Sequence, residues 1–142
     1  MIGVDLFGAG GLSLGAVQAG IDVRLAVESD PHAAETYSAN HPATTVFRQD
    51  IQRLHRAALP IGDAPRILFG GPPCQGFSTS NQRTRTVSNP NNWLFQEFVR
   101  IARLWGPEWV VLENVRGLTE TGDGIFLTSI LESLAALRYT VA

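Results

Sequence analysis

The chain holds a single sulfur nucleophile, Cys74, set between Gly70-Gly71-Pro72-Pro73 and Gln75-Gly76-Phe77-Ser78. An isolated cysteine most often packs as a small buried apolar residue. This one follows a short apolar run, residues 67–69, and then two prolines. Proline fixes its own φ at about −65° and holds the preceding residue extended, so the pair stiffens and aims the loop that presents the thiol. Loops at strand ends are where binding and catalytic groups gather, and the residue types read as a nucleophile. Four carboxylates accompany it: Asp5, Glu28, Asp50 and Glu113 each close a different apolar run. Singly, each is equally a solvated loop residue or a helix cap. Together with Cys74 they fall at the carboxyl ends of successive strands, where open α/β sheets bind their ligands.

Gly8-Ala9-Gly10-Gly11 directly follows the first apolar run. Glycines there allow close backbone approach and positive φ, which suits a nucleotide-like ligand. The dinucleotide pattern G-x-G-x-x-G is not met: Gly8 and Gly10 fit, but Ser13 stands in the third place. Glu28, closing the second run, is placed to accept from a ribose diol. Asp50 is placed to accept from an adenine amino group. An adenosine cofactor without a pyrophosphate uses this set, and S-adenosylmethionine is the candidate.

The elements that must position these groups alternate. Apolar runs at 1–7, 23–27, 44–47, 67–69 and 109–112 predict five strands, and residues 139–142 read as the start of a sixth. Helical patterns lie at 12–18, from Pro31 to about Asn40, at 93–105 and at 125–137, with a short amphipathic helix at 51–59. Leu14 and Val17 share a face of the first, and Gly20 is its expected stop. Asp30 before Pro31 is a good N-cap with a favourable first-turn proline. Leu94, Phe98, Ile101 and Trp105 stand at core spacing. Residues 78–92 are polar and read as a long loop of the kind that closes over active sites. Strands alternating with helices imply a parallel sheet with helices on both faces. Trp109-Val110-Val111-Leu112 is apolar in every position, which predicts a strand covered above and below.

The 142 residues suffice for one domain with a real core, and 44% hydrophobic against 17% charged residues is a globular balance. One cysteine excludes an internal disulfide, which fits a reducing compartment and a cytoplasmic protein. No apolar run is long enough to span a bilayer, and no signal peptide is evident. Three scattered histidines and one cysteine make no metal site. The formal charge is −2 and all eleven basic residues are arginine, a poor overall balance for binding nucleic acid. Arg48, Arg53, Arg56, Arg83 and Arg85 remain candidates for local phosphate contacts.

Four stretches together resemble the cytosine-5 DNA methyltransferases: D-L-F-G-A-G-G-L-S-L-G from Asp5 to Gly15, V-E-S-D from Val27 to Asp30, G-P-P-C-Q-G-F-S from Gly71 to Ser78, and L-E-N-V from Leu112 to Val115. The resemblance covers essentially the whole chain but only the N-terminal part of the family's enzyme. It implies the Rossmann-like fold of S-adenosylmethionine-dependent methyltransferases, incomplete at its C-terminal strands, as one catalytic domain over residues 1–142. It makes Cys74 the nucleophile that adds to carbon-6 of a flipped-out cytosine. Glu113 holds nitrogen-3 and the exocyclic amine, a role that asks for a proton on its carboxyl. Pro73 and Asn114 support the cysteine loop. Phe7, Gly8, Gly10, Glu28, Asp50, Pro72 and Leu94 line the S-adenosylmethionine pocket. Ser80, Arg83 and Arg85, on the loop at 78–92, approach the DNA.

Two departures from the family pattern qualify that expectation. The family usually has one more residue between the phenylalanine and the first glycine of the turn, whereas Phe7 abuts Gly8; weaker cofactor binding is the expected result. The family's Gln-x-Arg-x-Arg strand, its target-recognition region and its closing C-terminal helix have no counterpart in these residues. Activity is therefore expected to need a further polypeptide segment or a partner subunit. The alternatives are a non-catalytic remnant that binds cofactor or a partner, and the same chemistry on transfer RNA. A nicotinamide oxidoreductase fits least well, because the glycine pattern fails and the Pro-Pro-Cys loop has no role in it.

Overall fold

The first apolar run forms β1 (Ile2–Leu6), buried at every position. Such burial belongs to a strand with a neighbour on each side and cover on both faces, and β1 is the centre of the sheet. The computed structural model describes residues 1–73, 94–120 and 124–141. Five strands pair in the order β3-β2-β1-β4-β5, with β2 (Asp22–Glu28), β3 (Thr45–Arg48), β4 (Arg66–Gly70) and β5 (Trp109–Leu112) all parallel to their neighbours. The chain moves outward from β1 to β3, then returns to the other side of β1 for β4. That reversal opens a crevice at the carboxyl ends of β1 and β4, where doubly wound sheets bind ligands.

Two compact units divide the chain. The first comprises Met1–Gly71 and Leu104–Glu113 and contains the whole sheet. Val4, Leu6, Leu25, Leu54 and Leu68 are fully or nearly fully buried in it, each contributing about 1.5–3 kcal/mol by leaving water. Helix α1 (Gly11–Gln18) connects β1 to β2 and ends at Gly20, whose φ of 82° is the left-handed conformation expected of a glycine stop. Its Leu14 and Val17 are exposed, and Ser13 is its buried residue. Helix α2 (Pro31–Asn40) starts as expected, with the Asp30 carboxylate accepting from the N–H groups of His32 and Ala33. Between β2 and β1 the register skips Arg24, since Gly3 aligns with Val23 and Val4 with Leu25.

At Gly70, where β4 runs beside Leu6, a Cβ would lie 1.9 Å from the Leu6 carbonyl oxygen. Only glycine lets the two strand ends approach this closely.

The second unit comprises Pro72–Arg103 and Asn114–Ala142. It holds all but the last two residues of α3 (Phe95–Trp105), together with a short α4 (Gly117–Glu120) and α5 (Ile125–Ala136). Phe95, Phe98, Ile101, Phe126, Ile130 and Leu134 are among its buried apolar residues along α3 and α5.

Three readings of the sequence need correction, and one element was missed. Residues 51–59 form two 3-10 turns, Ile51–Arg53 and Arg56–Ala58, rather than one helix. Leu54 is extended between them and, like Ile51 and Leu59, buried, so the apolar spacing reflects an irregular segment laid on the core. Residues 139–141 form no strand: Tyr139 N–H bonds the Leu134 carbonyl around Arg138, whose φ of 68° ends α5 in a left-handed cap. Helix α4 was not evident from the sequence. In β5, Trp109 and Val111 are 62% and 45% exposed, so one face of this strand is open where both were expected to be covered. The predicted loop at 78–92 lies outside the described residues.

Candidate cofactor and catalytic site

After β1 the backbone leaves regular structure. Phe7 has φ 70°, Gly8 φ 152° and Gly10 φ 99°. The Phe7 N–H still bonds the Val27 carbonyl of β2 at 3.1 Å, and beyond it the turn draws on side chains as well. The Gly8 N–H donates to Glu28 Oε2 at 2.8 Å. The other carboxylate oxygen of Glu28 accepts from the Asp30 N–H at 2.7 Å. Glu28 therefore sits at the β2 end, half-buried, with its acid fixed against the glycine turn and the start of α2. Space beside the turn is open, since a Cβ on Gly8 would meet nothing within 4 Å. Asp50, just beyond β3, is exposed and accepts from the Gln52 N–H at 2.9 Å.

Beneath the turn lies a polar cluster that the sequence reading did not find. Asp5 is not at the open strand end; it is inside β1 and 3% exposed. Its Oδ2 accepts from the Ser13 hydroxyl at 2.6 Å and lies 3.2 Å from the Tyr37 hydroxyl, whose single proton is shared between Asp5 and the adjacent Ser13 oxygen. Among the described residues its Oδ1 has no hydrogen-bond partner. Burial pushes the Asp5 carboxyl up to about 6, with the two hydroxyl bonds pulling back against it. The Tyr37 hydroxyl is pushed up as well, by burial first and then by the Asp5 charge. His41, the C-cap of α2, places Nε2 2.9 Å from the Gly10 carbonyl oxygen. The available signal was the i, i+4 spacing of Tyr37 and His41, which puts both on one helix face.

At the opposite side of the crevice, the Glu113 N–H bonds the Gly70 carbonyl at 3.0 Å, extending the β4–β5 ladder by one residue. Its carboxylate lies over Gly71, where a Cβ would come 2.8 Å from Oε2. Gly71 thus leaves the room that the acid occupies. Phe7, Gly8, Gly10, Glu28, Asp50 and Glu113 all belong to the first unit.

Pro72, Pro73, Leu94 and Asn114 belong to the second unit. There the Asn114 side-chain amide donates to the Pro72 carbonyl at 3.1 Å, while its oxygen accepts from the Val115 N–H at 2.9 Å. Pro72 is buried, and Pro73 and Leu94 are half-buried. Cys74, Ser80, Arg83 and Arg85 lie outside the described residues. Among the described residues no group of three or more His, Cys, Asp or Glu side chains could hold a metal ion. No described helix is long and apolar enough to cross a membrane.

The family model for C-5 cytosine-specific DNA methylase matches residues 1–142. This chain belongs to that family. It is 42% identical over 143 residues to the type II methyltransferase M1.HphI of Haemophilus parahaemolyticus, covering 97% of this chain and 38% of that protein. Against the mouse (Mus musculus) DNA (cytosine-5)-methyltransferase 1 the identity is 36% over 151 residues, covering 96% of this chain and 9% of the other. A crystal structure described as a DNA modification methyltransferase encoded within an E. coli prophage superposes with a TM-score of 0.76 at 32% identity, covering 96% of this chain and 38% of that one. The C-5 methylase chain thus spans well under half the length of these relatives. The fold is the Rossmann-like one of S-adenosylmethionine-dependent methyltransferases, and the family uses S-adenosylmethionine.

The residues present fit that cofactor. In dinucleotide-binding folds the amides of the glycine turn receive phosphate. Here the Gly8 amide is already bonded to a carboxylate, which disfavours a second anion at the same place. A phosphate-free adenosyl group with a positive sulfonium suits this acidic setting, because Glu28 and Asp50 retain lone pairs for hydroxyl and amino donors.

Proposed function

We propose that this C-5 methylase chain carries the cofactor-binding and nucleophile-bearing part of an enzyme that methylates carbon-5 of cytosine in DNA. The hydrogen bond from Gly8 N–H to Glu28 is the observation that carries the reading, because it fits the turn to an adenosyl methyl donor and disfavours a dinucleotide. Phe7, Gly8, Gly10, Glu28, Asp50, Pro72 and Leu94 hold S-adenosylmethionine. When bound, it supplies a methyl group on a sulfonium, which is electrophilic.

Cys74, as thiolate, adds to carbon-6 of a cytosine taken out of the stack, which raises the electron density at carbon-5 for attack on that methyl. A base then removes the carbon-5 proton, and the electrons of that C–H bond re-form the ring double bond as the thiolate leaves. Glu113 steadies nitrogen-3 and the exocyclic amine by hydrogen bonds while the ring holds negative charge. Its placement over Gly71, three residues before Cys74 in the chain, supports this assignment. Asn114 holds the Pro72 carbonyl and, with Pro73, steadies the chain leading to the nucleophile. Ser80, Arg83 and Arg85 meet the DNA backbone. Choice of DNA target belongs to further polypeptide, in the same chain or a partner subunit. A restriction-modification setting in the cytoplasm agrees with the type II relatives.

The test uses DNA bearing 5-fluorocytosine, which cannot lose a carbon-5 proton and so traps the covalent intermediate. With the target-recognition part supplied, the parent chain forms the adduct and Cys74→Ala forms none. Persistence of the adduct in Cys74→Ala removes the nucleophile from its role. Residues 1–142 alone transfer no detectable labelled methyl group to DNA, and robust incorporation contradicts that expectation.

A further inference from the structure

We propose that His41 and Tyr37 are positioning residues for the cofactor turn, His41 holding it from beneath by a hydrogen bond at the end of α2 and Tyr37 setting the imidazole by ring packing. The inference rests on the reading of residues 7–10 as the S-adenosylmethionine turn and adds two residues to the machinery that shapes it. The turn has three departures from ordinary backbone within four residues: φ 70° at Phe7, 152° at Gly8 and 99° at Gly10. A backbone of this kind persists only where its surroundings over-determine it.

Two pins do so. Gly8 N–H is held by Glu28 at 2.8 Å, and the Gly10 carbonyl is held by His41 Nε2 at 2.9 Å. A carbonyl only accepts, so His41 must carry its proton on Nε2. The same Gly10 carbonyl accepts the Leu14 N–H at 3.0 Å, the first bond of α1. His41 therefore fixes the junction at which the turn becomes a helix. The fit is close: a Cβ on Gly10 would lie 2.6 Å from His41 Nε2, so the imidazole occupies the space that only glycine leaves free.

Tyr37, one helical turn before His41, sets the imidazole. The two rings pack with centroids 4.8 Å apart, and the Tyr37 hydroxyl joins Ser13 on Asp5. Helix α2 is thus tied to the turn at both ends, at its start because Glu28 also accepts the Asp30 N–H, and at its end through His41. Such ties lower affinity costs by ordering the turn before ligand arrives.

Calorimetric titration of residues 1–142 with S-adenosylmethionine, with thermal melting of each variant, tests the inference. Losing one buried hydrogen bond in His41→Leu weakens binding about tenfold. His41→Gln, whose amide can donate from a similar place, recovers most of the affinity. His41→Leu binding as tightly as the parent overturns the inference, as does a folded His41→Gln no tighter than His41→Leu. Should His41→Leu fail to fold, nitrogen NMR of the parent decides: an Nε2–H imidazole supports the assignment, and an Nδ1–H tautomer with bare Nε2 overturns it. If the parent itself gives no heat with S-adenosylmethionine, both this inference and the cofactor reading beneath it fall, whereas a binding parent with an indifferent His41→Leu sinks this inference alone.

Discussion

Asp5 places an ionisable acid in the central strand of the sheet, where its 3% exposure leaves it almost no water. Its partners gather on one carboxylate oxygen, Oδ2. Ser13 from α1 and Tyr37 from α2 donate to it, and His41 and Glu28 act on it with smaller, opposed electrostatic effects. Because burial raises its carboxyl from 3.8 to about 6, the folded chain holds this proton more tightly than the unfolded one. The associated stability is fully present below about pH 4 and is lost as pH rises through about 6, a change on the order of 3 kcal/mol. Urea unfolding of Asp5→Asn should therefore gain on the parent by roughly that amount between pH 4 and pH 7. Parallel pH profiles for the two proteins would contradict this. At this scale the sequence was partly legible. Glu28 and Glu113 declare themselves, since an acid after an apolar run ends a strand and faces the crevice. Asp5 lies in a similar apolar run yet sits one residue inside it, and its partners are 8 and 32 residues away. Such a bond depends on the packing of α1 and α2 against the sheet, which no local pattern encodes.

The elements that matter most to function are the turn between β1 and α1 and the strand ends beside it. Strands and principal helices were readable because each obeys a period or a cap: the Asp30-Pro31 start of α2 and the Gly20 stop of α1 appear where the residue types place them. The segment at 51–59 was not, because Ile51, Leu54 and Leu59 mimic helical spacing while 3-10 turns and an extended Leu54 bring them to the core. Open space against α1 is likewise invisible to periodicity, which records an apolar stripe whether or not anything covers it. In the turn, the residue missing relative to the family pattern coincides with a non-glycine at φ 70°. Left-handed backbone at such a residue costs on the order of 1–3 kcal/mol. Inserting an alanine after Phe7 should release part of that and tighten S-adenosylmethionine binding about tenfold, read by calorimetry. An unchanged affinity would show that the short turn is fully accommodated.

At the scale of the whole molecule, the strand order β3-β2-β1-β4-β5 brings the turn after β1, the acids after β2 and β5, and the Gly70-Gly71 step after β4 to one edge of the sheet. That convergence follows from parallel strands, which the alternation of apolar runs and helices implies, and from the reversal of direction at β1, which no local pattern in the sequence encodes. The sheet's reach was less legible: β5, apolar throughout, reads as an interior strand, yet Trp109 and Val111 are exposed. Family membership joins this frame to a chemistry, and the bond between Gly8 and Glu28 supports the proposed reading of the turn as the seat of an adenosyl group without phosphate. Titration of residues 1–142 with S-adenosylmethionine and with NAD, in the parent and in Glu28→Ala, examines that step directly. The expected result is heat with S-adenosylmethionine alone, weakened at least about tenfold by Glu28→Ala. Comparable binding of NAD, or a Glu28→Ala variant that binds S-adenosylmethionine like the parent, would contradict it.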